Sequence, residues 1–192
     1  MISEKREVVN NSDLTIISRI LILGDKRAYE AIVKKYQNSV YRFLLHLSNG
    51  NASLSEDITQ ETFIKAYIKL GSFKSLSKFS TWLMGIAYHL YIDYVRKYKN
   101  EIICETENIP KMQTADSLSA VDAKIDFQKA LNVLSAEERA VALLFHIEDM
   151  EIKKIAQSLS MPQGTVKSHL YRSKQKFLDF FKPHIYNKTV TL

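Results

Sequence analysis

The sequence predicts an all-α protein made of two small helical domains. Apolar residues recur at helical spacing over long stretches, and no segment alternates apolar and polar residues as a half-buried strand would. Only five glycines and three prolines are present to interrupt helices. A chain of 192 residues with 46% hydrophobic content can bury real cores on this plan.

Residues 1–24 read as an N-terminal arm and a short helix: the first ten are polar, Leu14, Ile16, Ile17, Ile20 and Leu21 then supply a face, and Gly24 ends it. Asp25 is placed to cap a second helix with Ala28, Ile32, Tyr36, Val40, Phe43, Leu44 and Leu47 on one broad stripe, broken at Ser48-Asn49-Gly50-Asn51. Ser53-Leu54-Ser55-Glu56 has the spacing of a capping box, which predicts a third helix starting at Ser53 and stopping at Gly71. In it Phe63, Ala66, Tyr67 and Leu70 form a stripe to be buried. Asp57, Gln60, Glu61 and Ile64 lie on another face, which suits either a docking surface for a basic partner helix or a solvated face.

Ser72-Phe73-Lys74-Ser75-Leu76-Ser77-Lys78-Phe79 reads as a polar loop before a fourth helix with Leu83, Ile86, Ala87, Leu90 and Tyr94 on its core face. Trp82, His89, Asp93 and Arg96 fall off that face. Aromatic residues interleaved with cations suit single-stranded nucleic acid, because bases stack on rings while cations hold phosphates. Trp82 equally suits a place in the core, and a lone histidine such as His89 makes no metal site. Residues 25–100 thus form the first domain.

Residues 101–120 lack periodicity, are acidic and contain Pro110, which marks a linker. The helical pattern resumes from Val121 through Ile125, Phe127, Leu131, Val133 and Leu134. Ser135 with Glu138 forms a second S-x-x-E box, followed by Val141, Leu143, Leu144, Phe145 and Ile147. Residues 121–184 form the second domain and 185–192 a tail.

Within it, Glu148–Lys176 reads as a helix-turn-helix. Ile152, Ile155, Ala156 and Leu159 mark its first helix, Ser160-Met161-Pro162 the turn, and Pro162 suits a helix start because its missing N–H donor is not needed there. Val166, Leu170 and Phe177 face inward in the second helix, whereas Lys167, Ser168, Tyr171, Arg172 and Lys174 look outward. Arginine, lysine and serine on one helical face can donate to base edges or phosphates in a major groove. The same residues would also make the solvated face of an ordinary helical hairpin.

The net charge of +6 fits a polyanionic partner without choosing between nucleic acid and membrane. Its distribution is more telling: Lys65, Lys69, Lys74, Lys78, Arg96, Lys97 and Lys99 face Asp93 alone in one cluster, and a second basic cluster runs from Lys167 to Lys182. Cys104 is the only cysteine, which excludes an intrachain disulfide or a CxxC site and fits a reducing cytoplasm. No apolar run approaches the roughly 20 residues of a membrane span, and no signal segment opens the chain. Neither clustered metal ligands nor an activated nucleophile is evident, so an enzyme is not expected.

Taken in order, Asp57-Ile58-Thr59-Gln60-Glu61-Thr62-Phe63-Ile64-Lys65-Ala66-Tyr67, Phe79-Ser80-Thr81-Trp82-Leu83 with Ile86-Ala87 and Asp93, and Leu134-Ser135-Ala136-Glu137-Glu138-Arg139 with Ile155-Ala156 and Gly164-Thr165-Val166-Lys167-Ser168-His169-Leu170-Tyr171-Arg172 resemble the extracytoplasmic-function (ECF) sigma factors of the sigma-70 family. The resemblance covers nearly the whole chain. It implies a noncatalytic, cytoplasmic promoter-specificity subunit of bacterial RNA polymerase, without cofactor or metal, that needs no membrane insertion. Asp57, Gln60, Glu61 and Ile64 would dock on core polymerase. Ser72, Phe73, Lys74, Phe79, Ser80, Thr81, Trp82, His89 and Arg96 would bind the melted minus-10 element, and Thr165, Lys167, Ser168, Tyr171, Arg172 and Lys174 the duplex minus-35 element. An anti-sigma protein is a further partner that such a chain can have. Two departures stand out: His89 replaces an asparagine common among relatives, and Met150-Glu151-Ile152-Lys153-Lys154 lacks the usual serine cap and glutamate. A freestanding helix-turn-helix regulator would explain Glu148–Lys176 equally well, but neither of the two earlier motifs.

Overall fold

The computed structural model describes residues 11–74, 78–104 and 122–189, and every regular element among them is helical. Helix α1 spans Asn11–Leu23 and α2 spans Lys26–Leu47. Gly24, at φ +62°, turns the chain between them, and its N–H closes on the Ile20 carbonyl at 3.0 Å. Asp25 caps α2 as expected, accepting from the Arg27 and Ala28 amides at 3.0 and 3.1 Å. The Ala28 amide, helped by Arg19, holds its carboxyl below the usual range. Asp13, almost buried, ties α1 to α2 by accepting from Lys35 Nζ at 2.6 Å and Tyr36 Oη at 2.5 Å.

Helix α3 covers Ala52–Lys69, and its cap is Asn51, not Ser53. The Asn51 side chain accepts the Leu54 amide at 3.1 Å, while Ser55 Oγ turns back onto the Asn51 carbonyl and Ser48 Oγ, fixing the earlier start. Gly71 does not adopt the expected left-handed cap, because α3 tightens into a 3-10 turn over Leu70–Ser72. Helix α4, Phe79–Cys104, runs past residue 100, so Glu101–Cys104, assigned to the linker by composition, are helical. Residues 105–120 of the expected linker, residue 121 of the second domain and 75–77 of the loop lie outside the described residues.

Helix α5 spans Asp122–Asn132, α6 Ala136–His146, α7 Ile152–Ser158 and α8 Gln163–Thr189. The capping box forms: the Glu138 amide donates to Ser135 Oγ at 3.2 Å, and the Ser135 amide donates to the Glu138 carboxylate at 3.0 Å. Pro162 sits at the start of α8, where its carbonyl accepts the Val166 amide at 3.1 Å. Ser160, at φ +54°, makes the sharp turn before it. Residues 185–189, read as tail, continue α8.

Nothing in the local patterning points to contact between the domains, yet α2 meets α6 and α4 meets α7 in one continuous core. Helix α6 shows this most clearly. Glu138, Arg139, Ala140, Val141, Ala142, Leu143 and Leu144 are all buried, so it has no solvent face over that run. A helix covered all round needs partners on every side, and here α8 and α2 both pack on it.

Candidate polymerase and nucleic-acid interfaces

The first surface lies on α3. Ile58, Thr62, Phe63 and Ala66 are buried against the neighbouring helices, which turns Asp57, Gln60, Glu61 and Ile64 outward to solvent. Glu61 pairs with Lys65 one turn on, at 3.2 Å across an exposed pair, which contributes little to stability. Beside it, Lys26, Tyr29, Phe63, Ile64, Tyr67 and Ile68 line an apolar groove. Tyr67 was expected inside but is 45% exposed. Tyr29 takes the inner place, donating its hydroxyl to the Phe63 carbonyl and meeting the Tyr67 ring edge-on at 4.8 Å. Burial of Tyr29 pushes its hydroxyl up to about 12.

The second surface surrounds the start of α4. Phe73, Phe79 and Trp82 pack together at centroid distances of 5.3–5.5 Å, with Tyr36 behind Phe79 at 5.6 Å. Phe79 and Thr81 are each 3% exposed. In this structure neither side chain is open to solvent, and Phe79 packs against Trp82 at 5.4 Å. Phe73 and Trp82 are half-buried, Ser80 is partly covered and Lys74 is exposed. Ser72 Oγ donates to the Lys69 carbonyl at 2.7 Å. Trp82, Ile86 and His89 line a cleft with Lys69, Ser72 and Gly85, whose far wall is Lys154, Gln157 and Ser158 of α7. Arg96 is exposed farther along α4.

The third surface is the outer face of α8. Val166 and Ser173 are buried, and Leu170 and Phe177 are partly buried against the core, so Lys167, Ser168, Tyr171 and Arg172 face outward. Ser168 Oγ donates to the Gly164 carbonyl at 2.9 Å, and Thr165 is partly covered. Lys174 borders a second apolar groove with Phe145, Leu170, Tyr171, Phe177 and Phe181, displaced toward the α6 side.

Arg172 has two protein neighbours. Its Nε lies 3.3 Å from Glu138 Oε1 and its Nη2 3.1 Å from His169 Nδ1, while Lys176 Nζ sits 2.7 Å from Glu138 Oε2. Lys176 is thus committed to α6. Burial works to raise the Glu138 carboxyl, but Lys176, the Ser135 amide and Arg172 outweigh it and hold the carboxyl below its usual range. Burial, with Arg172 alongside, lowers His169.

Arg139 and Gly85 carry no assigned role in the sequence, yet both join the two halves. Buried Arg139 donates to the Leu131 and Leu134 carbonyls of its own half at 2.9 and 3.1 Å, and to the Leu47 carbonyl at 2.8 Å and Asn49 Oδ1 in the other half. Gly85, in the middle of α4, meets the backbone of Ser158. A glycine inside a helical pattern is a sequence signal for such close approach. Among the described residues there is no group of three or more metal-ligating side chains, and no helix long and apolar enough to cross a membrane.

Comparison with known proteins identifies the family. Residues 32–101 match the model for sigma-70 region 2 and residues 124–177 that for sigma-70 region 4. The chain is 33% identical over 165 residues to the ECF RNA polymerase sigma factor SigW of Bacillus subtilis, covering 79% of this chain and 88% of SigW. The chain belongs to the ECF sigma factors. The ECF RNA polymerase sigma-E factor of Haemophilus influenzae is 30% identical over 186 residues, covering 90% of this chain and 96% of that protein. The fold is shared with the sigma factor RpoE of Bartonella quintana, solved with the anti-sigma factor NepR, at a TM-score of 0.68 and 24% identity over 80% of this chain and 96% of that one. CnrH, solved with the cytosolic domain of CnrY, gives a TM-score of 0.65 at 19% identity over 90% of this chain and 98% of that one. The region 2 match disfavours a freestanding helix-turn-helix regulator, which would have no use for it.

Proposed function

We propose that this ECF sigma factor directs core RNA polymerase to its promoters through the three surfaces described, working in the cytoplasm with no catalysis of its own. Asp57, Gln60, Glu61 and Ile64 take the core enzyme. Trp82 and Phe73, with Lys74, Ser72, Ser80, His89 and Arg96, take the minus-10 strand, and Lys167, Ser168, Tyr171 and Arg172, flanked by Thr165 and Lys174, take the minus-35 duplex. The observation carrying this reading is the outer face of α8, where donors are presented on a helix anchored by a buried row, the geometry needed to enter a major groove. By analogy with RpoE, solved with the anti-sigma factor NepR, an anti-sigma protein is a further partner. The apolar grooves beside α3 and between α6 and α8 would suit the apolar face of its helices.

The test is run-off transcription with purified bacterial core polymerase and fragmented genomic DNA. Discrete transcripts that depend on the added chain are expected. The proposal is overturned if core polymerase behaves identically with and without it.

A further inference from the structure

We propose that Glu138, on α6 and outside the recognition helix, is a positioning residue for minus-35 reading: its carboxylate holds the Arg172 guanidinium so that one edge of the fork is presented to a guanine in the major groove. The inference rests on the reading of α8 as the minus-35 helix.

Glu138 is buried beneath α8. Its Oε2 accepts from the Ser135 amide at 3.0 Å and from Lys176 Nζ at 2.7 Å, while Oε1 lies 3.3 Å from Arg172 Nε. The capping box needs one oxygen only, and the other is turned to Arg172. A second protein atom meets the same side of the fork, His169 Nδ1 at 3.1 Å from Arg172 Nη2. Arginine can only donate, so Nδ1 accepts and the ring proton sits on Nε2. Burial first, then Arg172, lowers the His169 pKa, in keeping with a neutral ring.

The Nε side of the fork thus faces protein. What it leaves for a partner is the end of the fork, the N–H bonds of Nη1 beside the second one of Nη2, whose spacing matches O6 and N7 of guanine. One carboxylate between two cations keeps the group net positive, which suits a duplex rich in phosphate. Stability does not account for the arrangement, because the Arg172 side chain is 54% exposed and such pairs contribute little. A long side chain ordered in advance, by contrast, loses less freedom when it meets a base.

Glu138→Gln isolates this role. Glutamine has one oxygen, and with that accepting the Ser135 amide its NH2 group opposes Arg172, donor against donor. The full chain assembled with purified core polymerase is mixed with a duplex pool randomised across the minus-35 positions, the bound DNA is sequenced, and circular dichroism checks folding. The parent should enrich guanine at one position, Arg172→Ala should lose that enrichment, and Glu138→Gln should lower it about fivefold or more while the other positions hold. Lys176→Ala, which removes the other cation on Glu138, should match the parent. Parental enrichment in the folded Glu138→Gln chain overturns the proposal, as does an equal drop at every position, the mark of damage to α8 as a whole. Guanine enrichment that survives Arg172→Ala also overturns it and leaves the minus-35 reading standing. A parent complex that enriches no minus-35 sequence overturns that reading and the proposal together. Should Glu138→Gln fail to fold, Glu138→Asp, which keeps the charge at the start of α6 but is one methylene shorter, decides by the same readings.

Discussion

Replacing Arg139 with methionine should destabilise the chain more than any surface substitution. Arg139 is 4% exposed, and its guanidinium donates to the Leu131, Leu134 and Leu47 carbonyls and to Asn49 Oδ1. Methionine fills a similar volume but donates nothing, leaving buried acceptors without a partner at about 1–3 kcal/mol each before relaxation. Desolvation of the charge, which lowers the Arg139 pKa, offsets part of that loss, because a neutral side chain no longer has to be desolvated. The net cost is about 3–5 kcal/mol. With a urea slope of about 2 kcal/mol per molar, the unfolding midpoint should fall by about 2 M. Arg139→Lys should rescue little, because one ammonium cannot span acceptors arranged around a planar fork. Urea titration followed by circular dichroism measures both variants. A midpoint for Arg139→Met within about 0.3 M of the parent, well inside the predicted shift, would refute the claim that these acceptors depend on Arg139.

Reversing the charge at Asp57 and Glu61 together should abolish co-purification with core polymerase while changing stability by less than about 0.5 kcal/mol, since both side chains are exposed; retained co-purification would rule out the α3 face. Lys167→Ala and Arg172→Ala should each alter minus-35 preference by about 1–3 kcal/mol at particular positions, as loss of base contacts does. Lys176→Ala, whose ammonium is held by Glu138, should leave the preference intact; binding to a panel of mutated promoters separates these outcomes. Glu138→Gln preserves the capping box, because glutamine also serves there, but loses the pairing with Arg172 and Lys176, at about 1 kcal/mol near neutral pH. The Glu138 carboxyl is held below its ordinary value of 4.5, so its contribution is complete above that pH and disappears as the pH falls through the lowered value. Urea midpoints of parent and variant should therefore converge on acidification, and a gap that persists at the lowest pH would contradict the assignment.

What could be read from the sequence was local. The Asp25 cap and the Ser135–Glu138 box are set by residues within one turn of each other, and both appear where expected. The start of α3 was missed because Asn51 and Ser53 are both competent caps, and the Ser48–Ser55 bond that favours the earlier start is visible only once α2 and α3 are side by side. Spacing placed Phe79 and Trp82 together as aromatic candidates, but it is Tyr36, from another helix, that buries the first and leaves the second half open. Arg172 was legible as an outward residue, whereas its attachment to Glu138 joins helices far apart in the chain. The seam between α4 and α7 was hidden for the same reason, since Gly85 signals a close approach without naming what approaches.

Helix α6 and the outer face of α8 lie back to back and should differ sharply in their tolerance of inherited change. From Glu138 to Leu144 α6 has no exposed position, so nearly every substitution there alters packing volume or strands a polar group, and few variants would survive selection. Lys167, Ser168 and Tyr171 are exposed, and exchanging them disturbs little of the core. Promoter preference can therefore drift across generations on a frame that stays nearly constant, which allows duplicated copies of such a gene to acquire separate target sets without first passing through an unfolded protein.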